Sequence, residues 1–137
     1  FPAQMLYCNK PIASLADVAA SLGNAGVRLI DARAPERYRG DVEPLDRVGG
    51  HIPGAANRFF QDNLADGVFR APEALRADFE RAAAGLTPDR VISYCGSGVT
   101  GCHNLLAMAH AGLHGARLYP GSWSEWSADP ARPVEKG

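Results

Sequence analysis

Glycines at positions 96, 98 and 101 surround one cysteine in Tyr94-Cys95-Gly96-Ser97-Gly98-Val99-Thr100-Gly101-Cys102. The apolar run Val91-Ile92-Ser93-Tyr94 before it reads as a buried strand, and Cys102 to Ala111 after it reads as a helix. Cys95 is thus expected at a strand tip, with a glycine-rich turn leading into a helix N-terminus. Such a turn points backbone N–H groups inward and aims the positive end of the helix dipole at the sulfur. A thiolate held there is stabilised and becomes a nucleophile at neutral pH. The glycines are expected to let the backbone curl with unusual φ values around the sulfur. The alternative is a structural cysteine beside an ordinary turn; the glycines favour the reactive one. Ser97 has two readings, a substrate hydrogen bond or proton relay, and a turn-former that satisfies the loop backbone. Thr100 either donates to the sulfur or, preferably, caps the following helix.

The rest of the chain must carry this loop. Residues 1–13 read as a lead-in and residues 14–137 as one domain. Ser14 and Asp17 resemble a capping box. Leu15, Val18, Ala19 and Leu22 share one helical face, and Gly23-Asn24 stops that helix. Val27 to Asp31 reads as a strand, and Pro35 to Tyr38 as a short helical turn begun by proline. Residues 40–54 read as loop, and 55–57 as a very short strand. Pro72 to Ala84 is an amphipathic helix with Leu75, Phe79 and Ala82 or Ala83 facing inward. Residues 116–119 read as a last strand, followed by a turn with tryptophans and a proline-rich tail. Strands alternating with helices give an α/β domain, with a central parallel sheet covered by helices on both faces. Sites in such sheets form beyond the carboxyl ends of strands. Cys95 and Asp31 both lie there.

The loop Cys-Gly-Ser-Gly-Val-Thr-Gly-Cys resembles the active-site loop of the rhodanese superfamily, in the form carried by 3-mercaptopyruvate sulfurtransferases. The stretches Asp31 to Gly40, Gly50 to Asn57, and Tyr119 to Trp126 with Asp129-Pro130 and Arg132-Pro133 match the same family in order and spacing. The resemblance is to the C-terminal, catalytic half of a tandem two-domain enzyme. It implies the rhodanese-like fold and a missing N-terminal domain. It also implies transfer of a sulfane sulfur from a small anionic donor, thiosulfate or 3-mercaptopyruvate, to cyanide or a thiol. Cys95 would carry the sulfur as a persulfide, inside the loop Gly96, Ser97, Gly98, Val99 and Thr100. No metal or organic cofactor is required.

Arg37 is the expected donor-binding cation. By resemblance the arginine before the aromatic of this motif holds the donor's carboxylate or sulfonate, and a guanidinium grips oxyanions through two bonds. The alternative is a surface ion pair with Glu36 or Asp41. Arg47 is a second candidate, at a spacing that differs from the family's. Asp31 and Arg33 read as a structural pair, and His51 as a loop-shaping residue. Cys102 reads as a small residue of the helix core, and Trp123 and Trp126 as packing residues, with Trp123 able to border the site. Cys8 has no assigned role. Zinc would need more ligands at recognised spacings.

Composition excludes several classes. The 137 residues are 46% hydrophobic and 21% charged, with net charge −1, so no basic surface suggests nucleic acid or an acidic membrane. No apolar run approaches a membrane span, and no signal peptide is visible. Three cysteines, an odd number in a chain long enough for a core, point to reduced thiols and a cytoplasmic setting. A related Cys-x5-Arg phosphatase is disfavoured: position 101 is glycine where the phosphate-clamping arginine belongs, and position 94 is tyrosine where such enzymes place histidine. A non-enzymatic rhodanese-like module, as a sulfur carrier or interaction domain, remains the other reading. Such modules commonly lack the cysteine.

Overall fold

The computed structural model describes residues 12–43, 46, 48–96 and 99–136, with Val99 described for its backbone alone. The Ser14 side chain accepts from Asp17 N while Asp17 accepts from Ser14 N, completing the capping box before helix α1 (Leu15–Ser21). Strand β1 (Arg28–Asp31) follows, then helix α2 (Pro35–Arg39), which closes on Gly40 at φ 89. Next come β2 (Ala56–Asn57) and an antiparallel hairpin of β3 (Leu64–Ala65) and β4 (Val68–Phe69). Helix α3 (Pro72–Ala82), β5 (Val91–Tyr94), helix α4 (Val99–His110), β6 (Arg117–Leu118) and helix α5 (Ser122–Ser127) complete the order.

The sheet runs β2-β1-β5-β6, and every pairing within it is parallel. Asp31 is in register with Tyr94, so β1 and β5 end at the same level. Ala32 N donates to Tyr94 O at 2.8 Å across that end. Alternation along the strands builds two cores. Leu29, Ile92 and Tyr94 face one side with Val18 of α1 and Trp123 and Trp126 of α5. Ile30 and Val91 face the other with Leu75 and Phe79 of α3 and Ala107 and Met108 of α4. The parallel sheet with helices on both faces is therefore present. At its β6 edge, Ile12 pairs with Leu118 and Ala13 is buried, just before the expected domain start at residue 14.

Three local features differ from the sequence reading. Helix α4 begins at Val99 rather than Cys102, so Thr100 sits inside its first turn instead of capping it. The hairpin lies in a stretch to which the sequence assigns no element, because two-residue strands leave no periodic pattern. The tryptophan turn is a helix, whose first residue Ser122 has φ 54.

Candidate active site

Cys95 follows β5 directly and is 1% exposed. Its backbone is held from the start of α5. Cys95 N donates to Ser122 Oγ at 3.0 Å, and Trp123 N donates to Cys95 O at 2.9 Å. Ser124 N donates to Gly96 O at 2.9 Å. Ser122 Oγ in turn donates to Tyr119 O at 2.8 Å. Three successive residues of α5 thus satisfy Cys95 N, Cys95 O and Gly96 O of the cysteine loop. Ser122 is fully buried in a left-handed conformation that serine rarely adopts. Sequence reasoning missed it, since nothing in the spacing of a lone serine signals a contact 27 residues away.

The first turn of α4 approaches from the opposite direction. A Cβ at Gly101 would lie 3.0 Å from Leu118 Cδ1 and 3.3 Å from the Tyr94 backbone. Glycine thus permits a close approach there that a side chain would meet only if its neighbours shifted. Neither Gly96 nor Gly101 has the positive φ expected from the sequence, and Gly98 lies outside the described residues. Ser93 Oγ donates to Gly101 O at 3.0 Å and ties the turn to the strand.

Cys95 opens onto a pocket of about 290 Å³ lined also by Arg33, Arg37, Asp46, Phe59, Phe60, Gly96, Thr100 and Ser124. Arg37 lies against the cysteine loop: a Cβ at Gly96 would be 3.4 Å from its Nη2. Its ion pairs are with Glu43 at 3.0 Å and Asp46 at 3.8 Å. Asp41, an expected partner, instead pairs with Arg39. Arg33 is buried and bound to Asp31 at 2.7 Å and to Glu43 at 3.3 Å, with its guanidinium 4.9 Å above the Trp123 ring. Burial opposes its charge, but the Asp31 hydrogen bond and nearby carboxylates outweigh that, and its pKa is raised. Asp31 and Arg33 are therefore a structural pair, although Arg33 also forms part of the pocket wall. Ser97, Gly98 and Arg47 lie outside the described residues, as does the Val99 side chain.

His51 and Cys102 are not among the described residues that line the pocket. His51 is 2% exposed, stacked on Tyr38 at 3.7 Å, with Nδ1 2.7 Å from Tyr38 O and Nε2 3.1 Å from Glu135 Oε1. It joins the tail to the loop, as its structural reading requires. Cys102 is half-buried and not disulfide-bonded to Cys95. Burial, and then the charge of Cys95, pushes its thiol above the ordinary range.

The rhodanese-like domain model matches residues 14–129. The chain belongs to the rhodanese-like family. A "Probable 3-mercaptopyruvate sulfurtransferase" of Pseudomonas aeruginosa is 53% identical over 136 residues, covering 96% of this chain and 48% of that protein. The thiosulfate sulfurtransferase of Bos taurus is 40% identical over 126 residues, covering 88% and 42%. The crystal structure of the Tum1 protein from Saccharomyces cerevisiae superposes with a TM-score of 0.76 at 29% identity, covering 91% of this chain and 46% of that one. The chain spans about half the length of the curated relatives it matches.

Proposed function

We propose that this rhodanese-like domain is the catalytic half of a sulfurtransferase. The observation that carries the reading is Cys95, fixed at the carboxyl end of β5 on the floor of a pocket whose wall holds Arg37. The Cys95 thiolate attacks the donor's transferable sulfur, the outer sulfur of thiosulfate or the thiol sulfur of 3-mercaptopyruvate. With thiosulfate the sulfur–sulfur bond breaks and sulfite leaves with the electron pair. With 3-mercaptopyruvate the carbon–sulfur bond breaks, and pyruvate leaves as its enolate and takes up a proton. Either route leaves a Cys95 persulfide. Cyanide or a thiolate then attacks the outer sulfur and restores the Cys95 thiolate. The N-terminal end of α4 offers backbone N–H groups to the terminal sulfur, whose charge resembles a bound anion. Arg37 would hold the donor's oxyanion, and Arg47 is a further candidate for the same task.

The names of the relatives support sulfur transfer and include both donors. In the full-length protein a preceding domain would cover the pocket mouth and exclude water. The test is thiocyanate formation from cyanide with each donor in turn. Turnover by the wild type and its loss in Cys95→Ser are expected. Unchanged turnover in Cys95→Ser would sink the reading. Persulfide formation without transfer to any acceptor would leave the domain as a sulfur-carrier module.

A further inference from the structure

The pocket beside Cys95 has an acidic wall as well as a basic one. Asp46 Oδ1 accepts from Ser124 Oγ at 2.7 Å, and Asp46 N donates to Glu43 Oε2 at 3.0 Å. Its other oxygen, Oδ2, is shielded from solvent and has no hydrogen-bond partner among the described residues. Arg37 Nη2 lies 3.8 Å from it, too far for a hydrogen bond. Arg33 and Arg37 are matched by Asp31, Glu43 and Asp46, so three described carboxylates face two guanidinium groups. Among the described residues, Arg37 therefore meets an incoming anion while already paired with Glu43 and Asp46.

Two consequences point the same way. Each added negative charge on a ligand is repelled by Asp46 across a part-buried space, where screening is weak. An unpaired buried acceptor is also costly, and a ligand that brings its own hydrogen removes that cost. Thiosulfate carries two charges and no hydrogen. A mercaptocarboxylate carries one charge and a thiol hydrogen. Resting on the sulfurtransferase reading, we propose that Asp46 is a specificity-determining residue that selects monoanionic thiol donors over dianionic ones.

Asp46→Asn keeps the Ser124 contact, removes the charge and supplies an N–H. Its kcat/KM for thiosulfate should rise about tenfold, mainly through KM, while that for 3-mercaptopyruvate stays level or falls. Asp46→Ser, equally uncharged, should repeat the shift if the asparagine variant is unstable. Asp41→Asn makes the same change in net charge at an exposed site paired with Arg39, and should leave the ratio of donors unchanged. Equal changes with both donors, or an equal shift in Asp41→Asn, would overturn the proposal. A second readout is independent of turnover: protection of Cys95 from iodoacetamide by sulfate and by pyruvate. Asp46→Asn should strengthen protection by sulfate and not by pyruvate. If that shift occurs while neither donor is turned over, the selectivity stands and the sulfurtransferase reading falls. If sulfate protection does not change, the selectivity falls whatever the turnover.

Discussion

Cys95 has two neighbours of opposite character. On one side Ser122, Trp123 and Ser124 hold the cysteine loop by neutral hydrogen bonds, most of them through the backbone. On the other, Arg33, Arg37, Glu43 and Asp46 form a network of charges from the β1–α2 segment and the loop after it. The first side fixes where the sulfur is. On the proposal above, the second sets which ligand reaches it. Neutral bonds inside a packed core are indifferent to the ligand's charge, whereas a charge network responds to each charge that enters. Floor and wall are built by different physics and meet at Ser124–Asp46 and Trp123–Arg33, so substitutions away from those two contacts should separate into two kinds.

The largest effect is expected at Arg37, on the charged wall. Arg37→Ala removes the cation and leaves Glu43 and Asp46 facing the donor, so KM should rise by about tenfold or more, the scale of a charge-assisted hydrogen bond. Arg37→Lys should recover only part, because the two-pronged fork is lost. Thermal stability should change little in either. Steady-state kinetics with both donors, beside melting curves, would reveal a wall that is structural if KM held and the melting temperature fell.

The next effect belongs to the floor and should show the reverse pattern. Ser122→Ala retains the same left-handed residue but removes the hydroxyl that accepts from Cys95 N and donates to Tyr119 O. Two buried groups lose a partner, and stability should drop by about 1–3 kcal/mol. Urea unfolding measures this. The donor KM in the folded protein should stay close to the wild-type value, with kcat reduced. A raised KM without loss of stability would erase the distinction between floor and wall.

A smaller effect tests the network that ties the tail to the loop at His51. Glu135 is held below its ordinary value of 4.5, first by the Gly54 N–H and then by His51. A depressed carboxylate contributes stability that is present above its unfolded pKa and lost as pH falls through the folded one. Glu135→Gln should therefore cost little, and the difference in stability from the wild type should shrink as pH drops below about 4.5. Urea midpoints across pH 3 to 7 (roughly the titration range of an acidic group) would show it. A difference that does not vary with pH would assign the effect to packing.

The floor was half legible in the sequence. The strand Val91 to Tyr94 was visible because four buried residues end at a glycine-rich turn, and α3 because Leu75, Phe79 and Ala83 keep helical spacing. The start of α4 was not. Its first turn contains Gly101, a poor helix former, and tertiary contact with Leu118 and Tyr94 outweighs that propensity. Ser122 was invisible because its role depends on a distant backbone partner. On the wall, Arg37 was found by motif. Its partners Glu43 and Asp46 were not, since ion pairs inside an irregular loop follow no period.

The central claim is that Cys95 alone carries the sulfur. Peptide mapping by mass spectrometry, after incubation with thiosulfate or 3-mercaptopyruvate, tests it most directly. Cys102 is pushed towards its protonated form by burial and by the charge of Cys95, so it should be a poor competitor. The account predicts a gain of roughly 32 Da, one sulfur atom, on the Cys95 peptide, removed by cyanide as thiocyanate. Equal labelling of Cys8 and Cys102, or a label on Cys95 that cyanide does not remove, would contradict it.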